Sequence, residues 1–523
     1  MPAAVTDCLK PSALRGRLVR IAVIAAMVFL IGRHWDPYYG FTAFLQADPV
    51  TESLLPGSLR DAPVFIHGQV GRYDGVYYAQ IATSPALRDP ELDRAVDYLG
   101  YRARRILLSA VAWAFGGGDP VAAVHAYAWL NPLLWLALAG VAWRLFPVAD
   151  ARGTVAWMGV VLAGGALASV RLALTDLAPL LLLALLVPLA ERGRSAAAAG
   201  LLGLATLARE TALLGGVAFW PGPGARGRDW LRAAGWGLIA VLPFAAWLLY
   251  VRHATGSSGA GEDNLALPLA GWLGRVRELW QLGGVEANRG LLARGWLDWA
   301  ALTVQMLYIF RHPQKDSPWW RLGLAYAALG LCLGSAVWEG LPGAAARLLL
   351  PLTLAFNLLA ARRRAAWAWL VLGNLSVVSG AWTFFDAPSR PHLIASGSSA
   401  GHTYVLETDA RWSVAEWNRK WRWSWCAGEG GVTVRTWPHR ARLRVALQLR
   451  GVTPRELEIR QAGVTVWKGP IGDRPQWIEL PELPAERGRL DLELRSTLPP
   501  RQEGADNTAR AISFACFDVR VAE

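Results

Sequence analysis

The sequence is poor in charged residues and in cysteine for its length. Of 523 residues, 18% are charged and 54% are hydrophobic. That balance excludes an ordinary soluble protein of this size. The four cysteines form no CxxC pair, and the sequence contains neither a metal-ligand cluster nor a glycine-rich phosphate loop. The familiar zinc, dithiol-redox and phosphate-loop motifs are therefore excluded.

Two of the cysteines, Cys426 and Cys516, lie in the C-terminal part of the chain. If that part is exported, an oxidising compartment permits a disulfide between them. Two buried free thiols fit the sequence equally well, and both interpretations stay open.

Lysine is also scarce, although the chain is basic. It occurs only at Lys10, Lys315, Lys420 and Lys468, so arginine supplies nearly all of the positive charge behind the formal net charge of +13. A basic chain can bind nucleic acid. Here the arginines cluster at the ends of apolar blocks, as in the short cytoplasmic loops of membrane proteins. We therefore predict a membrane protein with no nucleic-acid partner.

Long apolar blocks dominate the first 385 residues, which we predict to be a polytopic α-helical membrane domain. About 20 apolar residues in a helix cross the hydrocarbon core. An N-terminal helix containing Ile21–Ile31 comes first, and residues 34–104 form a predicted extracytoplasmic loop. About ten or eleven membrane helices are expected in all. The later blocks are residues 105–116, 121–146, 154–171, 174–190, 196–220, 231–251, 290–310, 321–338, 344–361 and 365–384.

The middle of this region does not alternate simply between the two sides of a membrane. Arginine-rich loops at 191–194 and 226–232 both have cytoplasmic character, yet one crossing would separate them. A re-entrant pair of short helices, bent at Arg209 and Glu210, would resolve the conflict.

Residues 386–523 have a different pattern, with short alternating runs between Gly, Pro and Asp turns. Residues 441–449 (ARLRVALQL) are an example. Such runs are typical of β-strands, and we predict an extracytoplasmic all-β sandwich. Its role is open, because its tryptophans could stack on glycans or fill the sandwich core. The tryptophans concerned are Trp412, Trp417, Trp421, Trp423, Trp425, Trp467 and Trp477.

The predicted first loop combines acidic, aromatic and basic residues at a membrane surface. Residues 73–82 read YDGVYYAQIA, and residues 101–113 read YRARRILLSAVAW. Asp74 could accept the proton of an acceptor hydroxyl as general base. Aromatic rings could stack on a sugar, and arginines could hold a phosphate leaving group. The alternative is an interfacial aromatic belt with a helix-capping aspartate. The candidate substrate-binding residues here are Arg72, Tyr73, Tyr77, Tyr78, Tyr101, Arg102, Arg104 and Arg105.

These two stretches resemble bacterial membrane glycosyltransferases of the GT-C superfamily that are associated with cell-surface glycopolymer formation. The first-loop motif is the most specific part of the resemblance, which covers about residues 30–385. Residues 40–44 (GFTAF), 206–214 (TLARETALL) and 346–352 (ARLLLPL) are similar to further segments of that group. There is also a looser likeness to the glycosylphosphatidylinositol mannosyltransferases, which carry a related first-loop motif.

The resemblance implies a polyprenyl-phosphate sugar donor and transfer with inversion at the extracytoplasmic face. It also implies that an acidic first-loop residue is the base, which is Asp74 in this sequence. The sequence departs from the family pattern at Val76, where Gln is common, and at Ser109, where Pro is common. These two departures leave the acceptor-side contacts in doubt. Arg209 replaces a usual Lys and keeps the charge.

Four further polar residues lie in apolar surroundings, where ionisable groups are costly and tend to face a cavity. Asp176 is a candidate site residue, or else a partner of an arginine or an N-cap. Arg209 and Glu210 could line a donor-lipid site or form a structural ion pair. Arg347 could bind a lipid phosphate, or its side chain could extend to the membrane interface.

The sequence as a whole predicts a glycosyltransferase of the bacterial inner membrane. Its expected partners are the lipid bilayer, a polyprenyl-phosphate sugar and a surface glycan or lipid acceptor. No cofactor is predicted with certainty, and a divalent metal ion stays open. The alternative function is a non-catalytic protein that binds or organises lipid-linked glycans. A transporter is disfavoured, because no pair of similar halves with broken helices is evident.

Overall fold

A computed structural model describes residues 11–68, 70–222, 224–257, 264–283, 289–340, 343–385, 390–399, 401–503 and 510–522. The predicted boundary at 385/386 borders residues outside these ranges, and Cys8 and Lys10 also lie outside them. Within them, a helical N-terminal region is followed by a C-terminal region of antiparallel sheets.

The helical region contains helices of very different lengths. In the described residues, four 3₁₀ segments lie among them: Thr42–Leu45, Gly57–Leu59, Ala103–Arg105 and Glu210–Phe219. The α-helices are α1 (Pro11–Gly32), α2 (Pro49–Leu54), α3 (Asp74–Ile81), α4 (Leu92–Ala95), α5 (Leu99–Arg102), α6 (Leu107–Phe115), α7 (Pro120–Leu145), α8 (Ala151–Val161), α9 (Gly164–Arg171), α10 (Leu177–Glu191), α11 (Ser195–Ala208), α12 (Gly227–Thr255), α13 (Ala270–Leu282), α14 (Arg289–Arg311), α15 (Pro318–Cys332), α16 (Ser335–Trp338), α17 (Ala345–Leu348), α18 (Leu350–Arg362), α19 (Trp367–Leu372) and α20 (Ser376–Trp382).

Three helical stretches of the described chain are long and apolar enough to cross a membrane. They are Pro120–Leu145, Ala151–Arg171 and Gly227–Thr255. The first has 26 residues, which at 1.5 Å each is about 39 Å and exceeds the hydrocarbon thickness. The local sequence determines where this helix begins. Asp119 accepts a hydrogen bond from the Ala122 amide, and Pro120 occupies the first helical position. The count of ten or eleven spans stays a prediction.

Several predicted blocks are broken in the structure. The block 196–220 ends as α-helix at Ala208, and Arg209 adopts an extended backbone before the 3₁₀ segment begins. The helix break predicted at Arg209 and Glu210 is therefore present, and the re-entrant course of the chain stays a prediction. The last block, 365–384, is likewise divided into α19 and α20. Helix α13 was not predicted, because its charged residues interrupt the apolar pattern.

The C-terminal region consists of short strands, and every strand pairing among the described residues is antiparallel. The strands are β1 (Leu393–Ser399), β2 (His402–Thr408), β3 (Glu416–Trp417), β4 (Arg422–Cys426), β5 (Glu429–Trp437), β6 (Arg442–Gly451), β7 (Arg455–Gln461), β8 (Val464–Ile471), β9 (Gln476–Glu479), β10 (Leu483–Pro484), β11 (Arg489–Ser496), β12 (Arg501–Glu503), β13 (Arg510–Ile512) and β14 (Phe514–Ala522). One sheet has the order β1-β2-β5-β11-β7-β8. The other has the order β10-β6-β14-β4-β3, with β9 beside β6, and β12 pairs with β13.

One buried core is shared by the two large sheets. In β11 the leucines 490, 492 and 494 are buried while the residues between them are exposed, as the alternating pattern predicts. They belong to the same cluster as Leu447 of β6 and Phe514 of β14. The tryptophans of this region differ in burial: Trp412 and Trp425 are buried, whereas Trp417 is 74% exposed.

The chain forms two compact units that do not follow its linear order. One comprises residues 1–34, 44–60 and 70–387, and the other comprises 35–43, 61–69 and 388–523. Two pieces of the predicted first loop thus belong to the unit that contains the sheets. They pack through Tyr38, Tyr39 and Phe65 against Leu393 and Val405. The sequence does not reveal this insertion, because the partners are more than 300 residues apart.

Asp36 fixes one of these inserted pieces. Its side chain, 3% exposed, accepts hydrogen bonds from the amides of Tyr38 and Tyr39. It also accepts bonds from the Arg390 guanidinium at 2.6 Å and the Ser396 hydroxyl at 2.8 Å. All four donors lie in the same unit. Asp36 is therefore a structural carboxylate within that unit.

Cys426 and Cys516 are free thiols in the sheet core, both completely buried. Burial raises the pKa of Cys426 to about 11 and that of Cys516 to about 12. Because the thiolate is the reactive form, we expect neither thiol to react with iodoacetamide at pH 8 in the folded protein. Both should react in denaturant without a reductant, as mass spectrometry of a Cys8→Ser/Cys332→Ser variant would show. Failure to react under those denaturing conditions would instead reveal a disulfide.

Candidate functional site

A cavity of about 820 Å³ lies in the helical unit beside Asp74. Among the described residues, its lining contains five arginines and two carboxylates, so the walls are strongly basic. These residues are Arg102, Arg104, Arg105, Arg209, Arg347, Asp74 and Glu210. Apolar side chains such as Leu329, Leu333 and Val337 complete the wall. A polar, cationic cavity with apolar borders suits an anionic head group attached to an apolar chain.

Asp74 is the first residue of α3, and its side chain is 29% exposed. Tyr73 is the N-cap residue and makes no capping bond with its side chain. The Asp74 carboxylate instead lies 3.0 Å from a guanidinium nitrogen of Arg102. A negative charge is favourable in the first helical turn, because it interacts with the free amides there. Asp74 is thus a partly exposed carboxylate with one cationic neighbour.

Arg102 is held in place by a second carboxylate, that of Asp97. Two bonds of 2.9 and 2.7 Å join the Arg102 guanidinium to Asp97, and the rings of Tyr77 and Tyr101 lie beside it. Burial alone would lower the pKa of Arg102. The hydrogen bond to Asp97, together with the negative charge of Asp74, instead raises that pKa above its usual range. Arg102 therefore stays cationic next to Asp74.

Arg105 and Glu210 form a second ion pair in the cavity wall. Two bonds of 3.0 and 2.7 Å connect them, a bidentate geometry that fixes both side chains. The Arg105 guanidinium also donates to the hydroxyls of Tyr78 at 2.9 Å and Tyr101 at 3.1 Å. The break at Arg209 is what places Glu210 at the start of its 3₁₀ segment, in reach of Arg105.

Asp176 is a buried carboxylate that pairs with two of the cavity arginines. It is 3% exposed and pairs with Arg209 and with Arg347, the latter at 3.4 Å. Arg347 also donates to the Tyr73 hydroxyl at 3.0 Å. One buried carboxylate thus orients two of the five cavity arginines.

The predicted site residues therefore occupy different places. Asp74, Tyr101 and the five arginines named above line the cavity with Glu210. Tyr77 and Tyr78 are buried beneath it, and Asp176 lies behind it. Arg72 is exposed, and its amide donates to Asp48. Whether any of these residues binds substrate stays a prediction.

The two departures from the family pattern have simple structural consequences. Val76 is 2% exposed, so its side chain packs within the unit. The Ser109 hydroxyl donates to the Tyr78 carbonyl at 2.8 Å and so connects α6 to α3.

Sequence reasoning missed Asp97 and Asn264. Asp97 carries a usable pattern, since it precedes Arg102 by five residues in the same loop. Asn264 comes from a distant segment and donates to the Tyr101 hydroxyl at 3.4 Å, and no local pattern marks it. Within the described residues, no group of three or more His, Cys, Asp or Glu side chains could hold a metal ion.

Comparisons with known proteins give little further information. No protein-family model matches the sequence, and no curated protein matches it significantly. Among solved structures, the arabinosyltransferase EmbB of Mycobacterium smegmatis is similar at 12% sequence identity and a TM-score of 0.22. The match covers 90% of this chain and 64% of that one, so this chain spans less than two thirds of its length. A TM-score of that size assigns neither fold nor function.

Proposed function

We propose that this protein is a membrane glycosyltransferase. It transfers a sugar from a polyprenyl-phosphate-linked donor to a cell-surface glycan or lipid acceptor at the extracytoplasmic face of a bacterial inner membrane. The observation that carries the proposal is the position of Asp74. A partly exposed carboxylate lies in an arginine-lined cavity, in the segment whose sequence resembles the GT-C first loop.

The chemistry follows from those groups. The acceptor hydroxyl oxygen forms a bond to the anomeric carbon as the bond from that carbon to the phosphate oxygen breaks. The hydroxyl proton passes to Asp74 as general base, an effect worth about 10²–10⁴ in rate. The departing lipid phosphate keeps the electron pair of the broken bond. A cavity arginine such as Arg104 offers it charge-assisted hydrogen bonds.

Arg102 and Arg105 are not assigned as ligands of the leaving phosphate. Arg102 and Arg105 are already held by Asp97 and Glu210. In this mechanism they set the position of Asp74 and the shape of the cavity. Fixed charges of this kind stabilise developing negative charge without reorganising during the reaction.

We expect an Asp74→Asn variant, expressed in a deletion strain, to leave the surface glycan unmodified. Asparagine keeps the shape of the side chain but cannot accept the proton. The measurement is the glycan composition of the deletion strain carrying wild-type or variant protein at equal membrane levels. Asp93→Asn is the matched control, because Asp93 is an exposed aspartate of the same loop. Full modification by Asp74→Asn would refute the catalytic proposal and favour a non-catalytic glycan-organising protein.

A further inference from the structure

A second cavity of about 360 Å³ lies in the helical unit. Of the predicted site residues, Tyr73 and Arg347 line it. Its lining comes from α9, α13, α14, α17 and α20, together with Gln46, Val70 and Tyr73 from the first-loop region. Leu172 and Leu291 provide apolar surface. Its volume fits a head group of one or two rings rather than a polymer chain.

The charge of this second cavity is strongly positive. Among the described residues, four arginines, Arg171, Arg275, Arg294 and Arg347, line it against a single carboxylate, Asp298. Arg275 is 4% exposed and pairs with Glu278, which does not belong to the lining. Asp298 accepts a hydrogen bond from the Ser379 hydroxyl at 3.1 Å. The lining therefore has more cationic than anionic groups, even when every carboxylate is ionised.

Arg294 precedes Asp298 by one turn of α14 and interacts with its carboxylate only through space. Its guanidinium donates to the Gly290 carbonyl at 3.4 Å and lies 5.6 Å from the centre of the Trp382 ring. In the described part of the chain, no carboxylate lies within ion-pair distance of it. Its side chain is partly buried, so an anionic ligand in the cavity would supply a counter-charge at close range.

The two cavities meet at Arg347 and Tyr73. Arg347 lines both cavities, while Tyr73 lines the smaller one and its neighbour Asp74 lines the larger one. The Arg347 guanidinium donates to the Tyr73 hydroxyl at this boundary. Asp74 is thus adjacent in sequence to a residue that lines the second arginine-rich cavity.

We infer that the smaller cavity binds a phosphate ester. Guanidinium forks match the oxygens of a phosphate group, and Arg171, Arg275 and Arg294 present three of them. If the proposed function holds, this phosphate belongs to the acceptor, because that function assigns the donor phosphate to the larger cavity beside Asp74. The acceptor would then be an anionic, phosphate-bearing molecule. This role rests on the proposed function, whereas the binding itself does not.

The test is direct binding of farnesyl phosphate to the full chain in detergent, counted by native mass spectrometry. We expect two bound molecules for the wild type and one for Arg294→Gln. Affinity at the lost site should fall about 10-fold or more, since a charge-assisted hydrogen bond is removed. Arg275→Gln should also bind one molecule. Agreement between the two variants would show that the lost binding does not come from a folding defect of Arg294→Gln alone. Arg277→Gln, an exposed position on the same helix as Arg275, should bind two molecules.

Two comparisons identify the bound chemistry. Farnesol, which lacks the phosphate, should not bind at this cavity. Competition by excess inorganic phosphate would assign the site to water-soluble phosphate esters. Farnesyl phosphate binding that resists such competition would assign it to lipid-linked ones. Either result supports a phosphate site.

The inference fails if Arg294→Gln binds farnesyl phosphate with unchanged number and affinity, or if farnesol binds equally well. Its failure is separable from that of the proposed function. Asp74→Asn is expected to bind two molecules, so glycan modification by that variant would remove the catalytic proposal alone.

Discussion

An Asp176→Ala variant is expected to lose most of its folded protein and, with it, its activity. Asp176 is the buried partner of both Arg209 and Arg347. Removing it leaves two nearly buried guanidinium groups, 8% and 5% exposed, without their counter-charge. Breaking a buried ion pair in this way costs about 3–5 kcal/mol. That is a large fraction of the stability of a typical domain.

The measurement is folded yield by size-exclusion chromatography in detergent, together with the thermal unfolding midpoint. Glu191→Ala is the matched control, because Glu191 is exposed at the opposite end of the helix that Asp176 precedes. Its effect should stay within about 0.5 kcal/mol. Asp176→Asn should also be destabilised, since the amide keeps the shape but not the charge. Wild-type yield and midpoint for Asp176→Ala would show that the arginines do not depend on this carboxylate.

An Asp36→Ala variant is expected to destabilise the sheet-containing unit by about 3–5 kcal/mol. Two backbone amides, the Ser396 hydroxyl and Arg390 all lose their acceptor together. Unsatisfied buried donors each pay a desolvation cost, and Arg390 also loses its ion pair. The inserted segment 35–43 would then be poorly anchored to its unit.

Pulse proteolysis of the full chain in detergent, detected with an antibody to the C-terminal region, measures this effect. Asp61→Ala is the control within the other inserted segment. Asp61 pairs with Arg487 at 3.3 Å, and both side chains are substantially exposed. Such surface pairs contribute about 0–1 kcal/mol. Equal protease resistance of the two variants would contradict the structural role assigned to Asp36.

Local sequence patterns predicted many of the secondary-structure elements but not which of them pack together. The apolar blocks and the alternating run at 441–449 follow from side-chain burial, which a local window reveals. Helix breaks at Arg209 and within 365–384 were harder to locate, since each falls at a short polar or glycine interruption inside a longer apolar run. The bend at Arg209 was inferred from loop charge, and the division of the last block was not foreseen.

For the candidate site, the aromatic and arginine-rich loop drew attention to Asp74 and Arg102 because both lie in one short segment. The Asp97 contact, the double role of Asp176 and the second cavity depend on tertiary packing. Arg275, Arg294 and Asp298 are ordinary helical residues in the sequence. Only the folded chain places them around one space with Arg347.

The insertion of residues 35–43 and 61–69 into the sheet-containing unit has a consequence for biosynthesis. About 350 residues separate Ala43 from Arg390, so ribosomal synthesis at about 5–20 residues per second leaves the segment without its partners for roughly 20–70 s. During that interval Tyr38, Tyr39 and Phe65 have no completed sheet to cover them. These aromatic side chains are therefore exposed for longer in the nascent protein than they would be if their partners were close in sequence. A truncation that removes residues 388–523 would make this transient exposure permanent.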